Sequence, residues 1–168
     1  MPLMRERDFV ADEWVGVGED EKIPETGKII IPLARLQDAA ARLAAGAGQT
    51  GLHVPNTVKP HTLKPYFNSV ALISVAFPAF NDGRGFSIAR RLRRLGFTGI
   101  LRATGPLIAD QYAYARACGF DEIALPETLA KRQPAAHWQK AADAISLSYQ
   151  RGYQRPTTIL DRRRAASA

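Results

Sequence analysis

A single cysteine, Cys118, leaves no partner for an internal disulfide and too few thiols for a cysteine-rich zinc site or a four-cysteine iron–sulfur cluster. Its simplest role is as a small residue packed near a helix end. No apolar run approaches the roughly 20 residues that span a bilayer, and Asp8 to Glu25 is acidic where a leader would be basic and then apolar. We therefore expect a cytoplasmic protein with no membrane partner. The histidines, His53, His61 and His137, lack metal-ligand spacing and an evident nucleophile partner, so no metal site is expected and each imidazole should be exposed or locally bonded. Neither a Gly-x-Gly-x-x-Gly turn nor a Gly-Lys-Ser/Thr phosphate loop is present, and no flavin, haem or cluster motif names a cofactor.

What is present suits one compact domain: 168 residues with 46% hydrophobic content can bury a real core. The formal charge of +7 points to anionic company, and much of the excess sits in two places. One is Arg90, Arg91, Arg93 and Arg94; the other is the tail from Arg151 to Arg164. We divide the chain into an N-terminal extension (1–27), an α/β domain (28–150) and a basic, mobile tail (151–168).

Within the domain, Lys28 to Ile31 reads as a strand, and Leu33, Leu36, Ala40 and Leu43 give the next segment, up to Ala45, helical spacing, with Gly46 closing it. Ala47 to Lys64 is irregular, with a short strand near Leu52 to Val54. Ser69 to Phe77 is a continuous apolar strand, and Ile88, Ala89, Leu92 and Leu95 stripe the helix Phe86 to Leu95, which Gly96 ends. Gly99 to Ala103 and Asp121 to Leu125 are further strands, with a helix from Leu107 to Cys118 between them. Pro126 and Pro134 suit first helical turns, and Trp138, Ala141, Ala142, Ile145 and Tyr149 mark a last amphipathic helix. Alternation of this kind implies right-handed crossovers and a mainly parallel sheet of about four strand–helix units, three-layered or half-barrel-like.

Ligands in such sheets sit beyond the carboxyl ends of the strands, where helix N-termini attract anions. The turn Asn81 to Gly85 falls there. Gly83 and Gly85 allow positive φ or close backbone approach, Asp82 can cap the helix, and Arg84 can hold an oxyanion through two hydrogen bonds. The next strand and helix supply Arg102, Asp110 and Gln111, so adjacent parallel strands would bring Arg84 and Arg102 to one anion-binding crevice. If that crevice is catalytic, Asp82 or Asp110 is the candidate general base. A third use of the basic charge, nucleic-acid binding through "RRLRR" and the tail, ranks below these because the arginines lack aromatic interleaving.

Three blocks, "FPAFNDGRGFSIARRLR", "GILRATGPLIADQ" and "CGFDEI", occur in an order and spacing that resemble a family of uncharacterised bacterial proteins. Its members are encoded beside the haem-containing sulfite reductase and are described as oxidoreductases of sulfite reduction. The resemblance is strongest over Val70 to Ile123 and weaker through "KIIIPL" and "GLHVPN"; Asn81 stands where these proteins often have threonine. It implies a role in sulfur assimilation and cysteine biosynthesis, with sulfite reductase as partner. The expectation is an accessory protein that binds a small oxyanion or phosphate-bearing ligand, or alternatively a small enzyme of the same pathway.

Overall fold

The computed structural model describes residues 1–44 and 49–144. Eight strands form one sheet: β1 (Leu3–Arg5), β2 (Asp8–Val10), β3 (Val15–Gly16), β4 (Ile29–Pro32), β5 (Thr50–Val54), β6 (Leu72–Ala76), β7 (Ile100–Thr104) and β8 (Glu122–Ala124). Their spatial order is β2-β1-β8-β7-β6-β5-β4-β3. The strands from β3 to β8 are parallel and lie side by side in chain order, while β1 is antiparallel to both β2 and β8. Because no step from β3 to β8 reverses the order, right-handed crossovers put the connections among these parallel strands on the same face, and the sheet curls as a half-barrel. A doubly wound three-layer sheet would reverse.

The expectation of about four parallel units is thereby corrected: the sheet is eight-stranded and mixed. The difference arises in the segment 1–27, set aside as an extension, which contributes β1, β2 and β3. Strands of two or three residues carry no periodicity of their own and exist because neighbouring edges supply hydrogen-bond partners. The β1–β2 turn places Glu6 and Arg7 at positive φ, the twist that a two-residue hairpin favours.

Five helices lie on the covered face: α1 (Ala40–Ala44), α2 (Arg84–Arg94), α3 (Tyr112–Cys118), α4 (Glu127–Arg132) and α5 (Ala135–Ala144). Ile88, Ala89 and Leu92 of α2, Ala115 of α3 and Trp138 of α5 pack there with alternate strand residues such as Leu52, Val54, Ile73, Val75, Leu101 and Ala103. The helix expected from Leu33 to Ala45 is a 3₁₀ turn at Leu33–Arg35 followed by the short α1. Arg35 there reaches Asp38 at 3.1 Å and the carbonyls of Gly18 and Glu21, contacts that tie the turn to the preceding loop. Arg93, one of the four clustered arginines, donates to the carbonyls of Phe97, Gly99 and Gly119 and to Asp121. Gly46, Ile145, Tyr149 and the tail 151–168 lie outside the described residues. Among the described residues, no helix is long and apolar enough to cross a membrane.

Candidate functional site

The alternation that sends Leu52, Ile73, Leu101 and Ile123 into the helix-covered core turns the residues beside them to the opposite face. Register then aligns them in one line. Pro32 pairs with His53, His53 with Ser74, Ser74 with Arg102, and Arg102 with Glu122, which faces Arg5 across the antiparallel pair. Five neighbouring strands thus contribute a polar side chain to a single row. The neighbouring row is apolar, and Trp14 covers Ile30 and Leu72 within it.

Side-chain contacts tie the polar row into two groups, one around Ser74 and one around Arg102. His53 Nδ1 lies 3.0 Å from Ser74 Oγ, which lies 2.7 Å from Thr104 Oγ1. Arg102, 3% exposed, donates from Nε to Glu122 at 2.7 Å and from Nη1 and Nη2 to the two oxygens of Asp12, each at 2.7 Å. Glu122, 1% exposed, also accepts two bonds from Arg5. Two guanidiniums and two carboxylates therefore balance, the condition under which charges can be buried at all. Burial pushes the His53 imidazole below its ordinary value, so it favours the neutral form. His53, Ser74, Arg102, Thr104, Asp12 and Trp14 line a cleft of about 290 Å³.

The Asp82–Gly85 turn is built differently. Asp82 accepts from the Arg84 guanidinium at 3.0 and 2.7 Å, from the Arg84 amide at 3.2 Å and from Asn56 at 2.6 Å. The Arg84 contact holds the Asp82 carboxyl near pH 2, and a carboxylate so stabilised is a weak proton acceptor at neutral pH. Gly83 has an ordinary φ of −78°. Gly85 is required by packing, because a Cβ there would fall 2.4 Å from the Phe77 ring. Gln111 spends its amide on the Phe80 carbonyl at 2.7 Å and its oxygen on the Ile108 amide, while Asp110 is exposed.

Arg84 and Arg102 do not share a crevice. Arg84 opens α2 on the covered side, whereas Arg102 alternates with Leu101 and Ala103 and faces the other way. Strands β6 and β7 are adjacent as expected, but the parity of Arg102 within its strand decides its direction. Arg102 bonds instead to Asp12 and Glu122 and shares the cleft with Ser74 and His53, and these last two carry a signal in the sequence: each is a lone polar residue inside an apolar run, as Arg102 is.

A family model described as "Bacterial protein of unknown function (DUF934)" matches residues 51–160, well over half of the chain. The chain belongs to that family. No curated protein and no solved structure matches it. The family span takes in His53, Ser74, Arg102, Thr104 and Glu122, and leaves Arg5, Asp12 and Trp14 outside it. The row from His53 to Glu122 thus lies within the matched span, and the segment over it lies outside that span.

Proposed function

We propose that the protein is a cytoplasmic accessory factor of sulfite reduction that binds a small oxyanion or phosphate-bearing ligand in the open-face cleft. The observation that carries the binding reading is Arg102: a guanidinium has five N–H donors, three of which go to Asp12 and Glu122, leaving two on a buried residue that lines the cleft. Ser74, Thr104 and His53 add hydroxyl and imidazole partners, and Trp14, Val17 and Ile30 add apolar lining. The resemblance of the three sequence blocks to proteins encoded beside haem sulfite reductase supports the pathway. A docking role draws on α2 and α3. There Arg90, Arg91 and Arg94 are exposed without a carboxylate partner among the described residues, and Phe80 and Tyr114 are 54% and 50% exposed.

Calorimetric titration of sulfite, sulfate and phosphate into wild type and Ser74→Ala tests the site, and sulfur-source growth of a deletion strain tests the pathway. Binding that weakens at least about tenfold in the variant, a change of roughly 1.4 kcal/mol, supports the site. Equal binding in both, or none in wild type, removes it. A second reading, a small enzyme working in the same cleft, draws on the His53–Ser74 contact, in which a neutral imidazole can take the hydroxyl proton. Turnover of a sulfur oxyanion that is lost in Ser74→Ala while folding is retained would favour it.

A further inference from the structure

Arg102 already has as much negative charge around it as it can use. Asp12 and Glu122 together with Arg5 and Arg102 make a balanced set, so an anion on the two remaining Arg102 donors gains its full attraction only when one carboxylate leaves. Glu122 is the poor candidate to leave: it sits within β8, is 1% exposed and is held by two arginines. Asp12 is the good one. Its side chain is 17% exposed, it lies in the segment between β2 and β3, and its only guanidinium partner among the described residues is Arg102.

Asp12 is coupled to a second occupant. Its Oδ1 accepts the Trp14 amide at 3.0 Å, and the Trp14 side chain, 7% exposed, packs on Ile30 and Leu72 in the apolar row. A two-oxygen anion and a flat apolar ring, two residues apart, therefore cover the polar and apolar rows of the open face together. We infer that the Asp12–Trp14 segment is an internal occupant of the cleft. The ligand it stands in for is an organic anion whose anionic head replaces the Asp12 carboxylate on Arg102 and whose ring-sized apolar body replaces the Trp14 indole over Ile30 and Leu72. This rests on the open-face cleft being the ligand site and specifies what that site takes.

Phenyl phosphate and benzoate are suitable probes, with inorganic phosphate as the head group alone. Trp14 reports its own displacement, since the second tryptophan, Trp138, is fully buried among the helices and donates to the Gln133 carbonyl. The expected result is a red shift of indole emission as phenyl phosphate or benzoate binds wild type, and binding to Asp12→Asn at least about tenfold tighter. Binding with no emission shift, or with equal or weaker affinity in Asp12→Asn, overturns the displacement while leaving the cleft as an oxyanion site if Ser74→Ala still weakens it. Failure of all three probes to bind either protein overturns both. Should Asp12→Asn not fold, the emission of wild type decides alone: a shift on binding supports displacement, and binding without one refutes it.

Discussion

Replacing Glu122 with glutamine keeps its shape and removes its charge. In the wild type the carboxylate accepts from Arg102 Nε at 2.7 Å and from Arg5 Nε and Nη2 at 3.0 and 2.8 Å. Arg5 is 38% exposed along its side chain and can turn to water, so its share is small. Arg102 is 3% exposed and cannot; it would be left with Asp12 alone. Breaking one side of a buried pair costs about 3–5 kcal/mol, and we take the lower half of that range because Asp12 still balances the guanidinium. For a domain of this size about 3 kcal/mol corresponds to a fall in Tm of roughly 6–12 °C. Urea and thermal unfolding followed by circular dichroism measure it, with Asp12→Asn as the comparison. Asp12, on a partly exposed segment, should cost less, about 1–2 kcal/mol. A loss below about 1 kcal/mol for Glu122→Gln, or a larger loss for Asp12→Asn, would refute the assignment of Glu122 as the fixed carboxylate and Asp12 as the one that yields.

Gly105→Ala should destabilise more than Gly85→Ala in the same unfolding assay. At Gly105 φ is +143° and a Cβ would fall 2.0 Å from the Phe77 carbonyl oxygen, whereas at Gly85 the obstacle is the Phe77 ring, which can shift for about 1–3 kcal/mol. The pH profile of stability should carry a His53 component. Its folded pKa lies below the ordinary 6.5, so the unfolded chain takes the proton first and stability falls as pH drops below about 6.5; His53→Gln should flatten that part of the curve. Asp82 gives a second arm of the same sign at lower pH. With its folded pKa near 2 against an ordinary 3.8, its small, solvent-screened contribution is present above 3.8 and is lost as pH falls toward 2, so Asp82→Asn should matter at pH 5 and not at pH 2.

The parallel strands and most helices were legible because each carries its own pattern: "LISVA" and "ILRAT" flanked by Gly, Pro and polar turns, and the Ile88–Ala89–Leu92 stripe of α2. Boundaries drifted where a local contact intervened, as with Arg35 in the turn after β4. The N-terminal strands were not legible, since β1 owes its place to β8 more than a hundred residues away, a pairing that no window of sequence contains. For the site, the sequence identified Arg102 and the sheet but joined it to Arg84. Reading Ser69 to Phe77 as apolar on both faces hid Ser74, whose position between Ile73 and Val75 sets it on the face of Arg102. His53 between Leu52 and Val54 carries the same period-two signal. Asp12 carries none, because its partner lies 90 residues on.

The open face as the ligand site is tested most directly by side-chain and backbone nuclear magnetic resonance during a titration with phosphate and then phenyl phosphate. The account predicts shifts that concentrate on Arg102 Nε, on the amides around His53, Ser74 and Thr104, and on the Trp14 indole. Shifts confined to Asp82, Gly83, Arg84 and Gly85, or absent from both places, would contradict it.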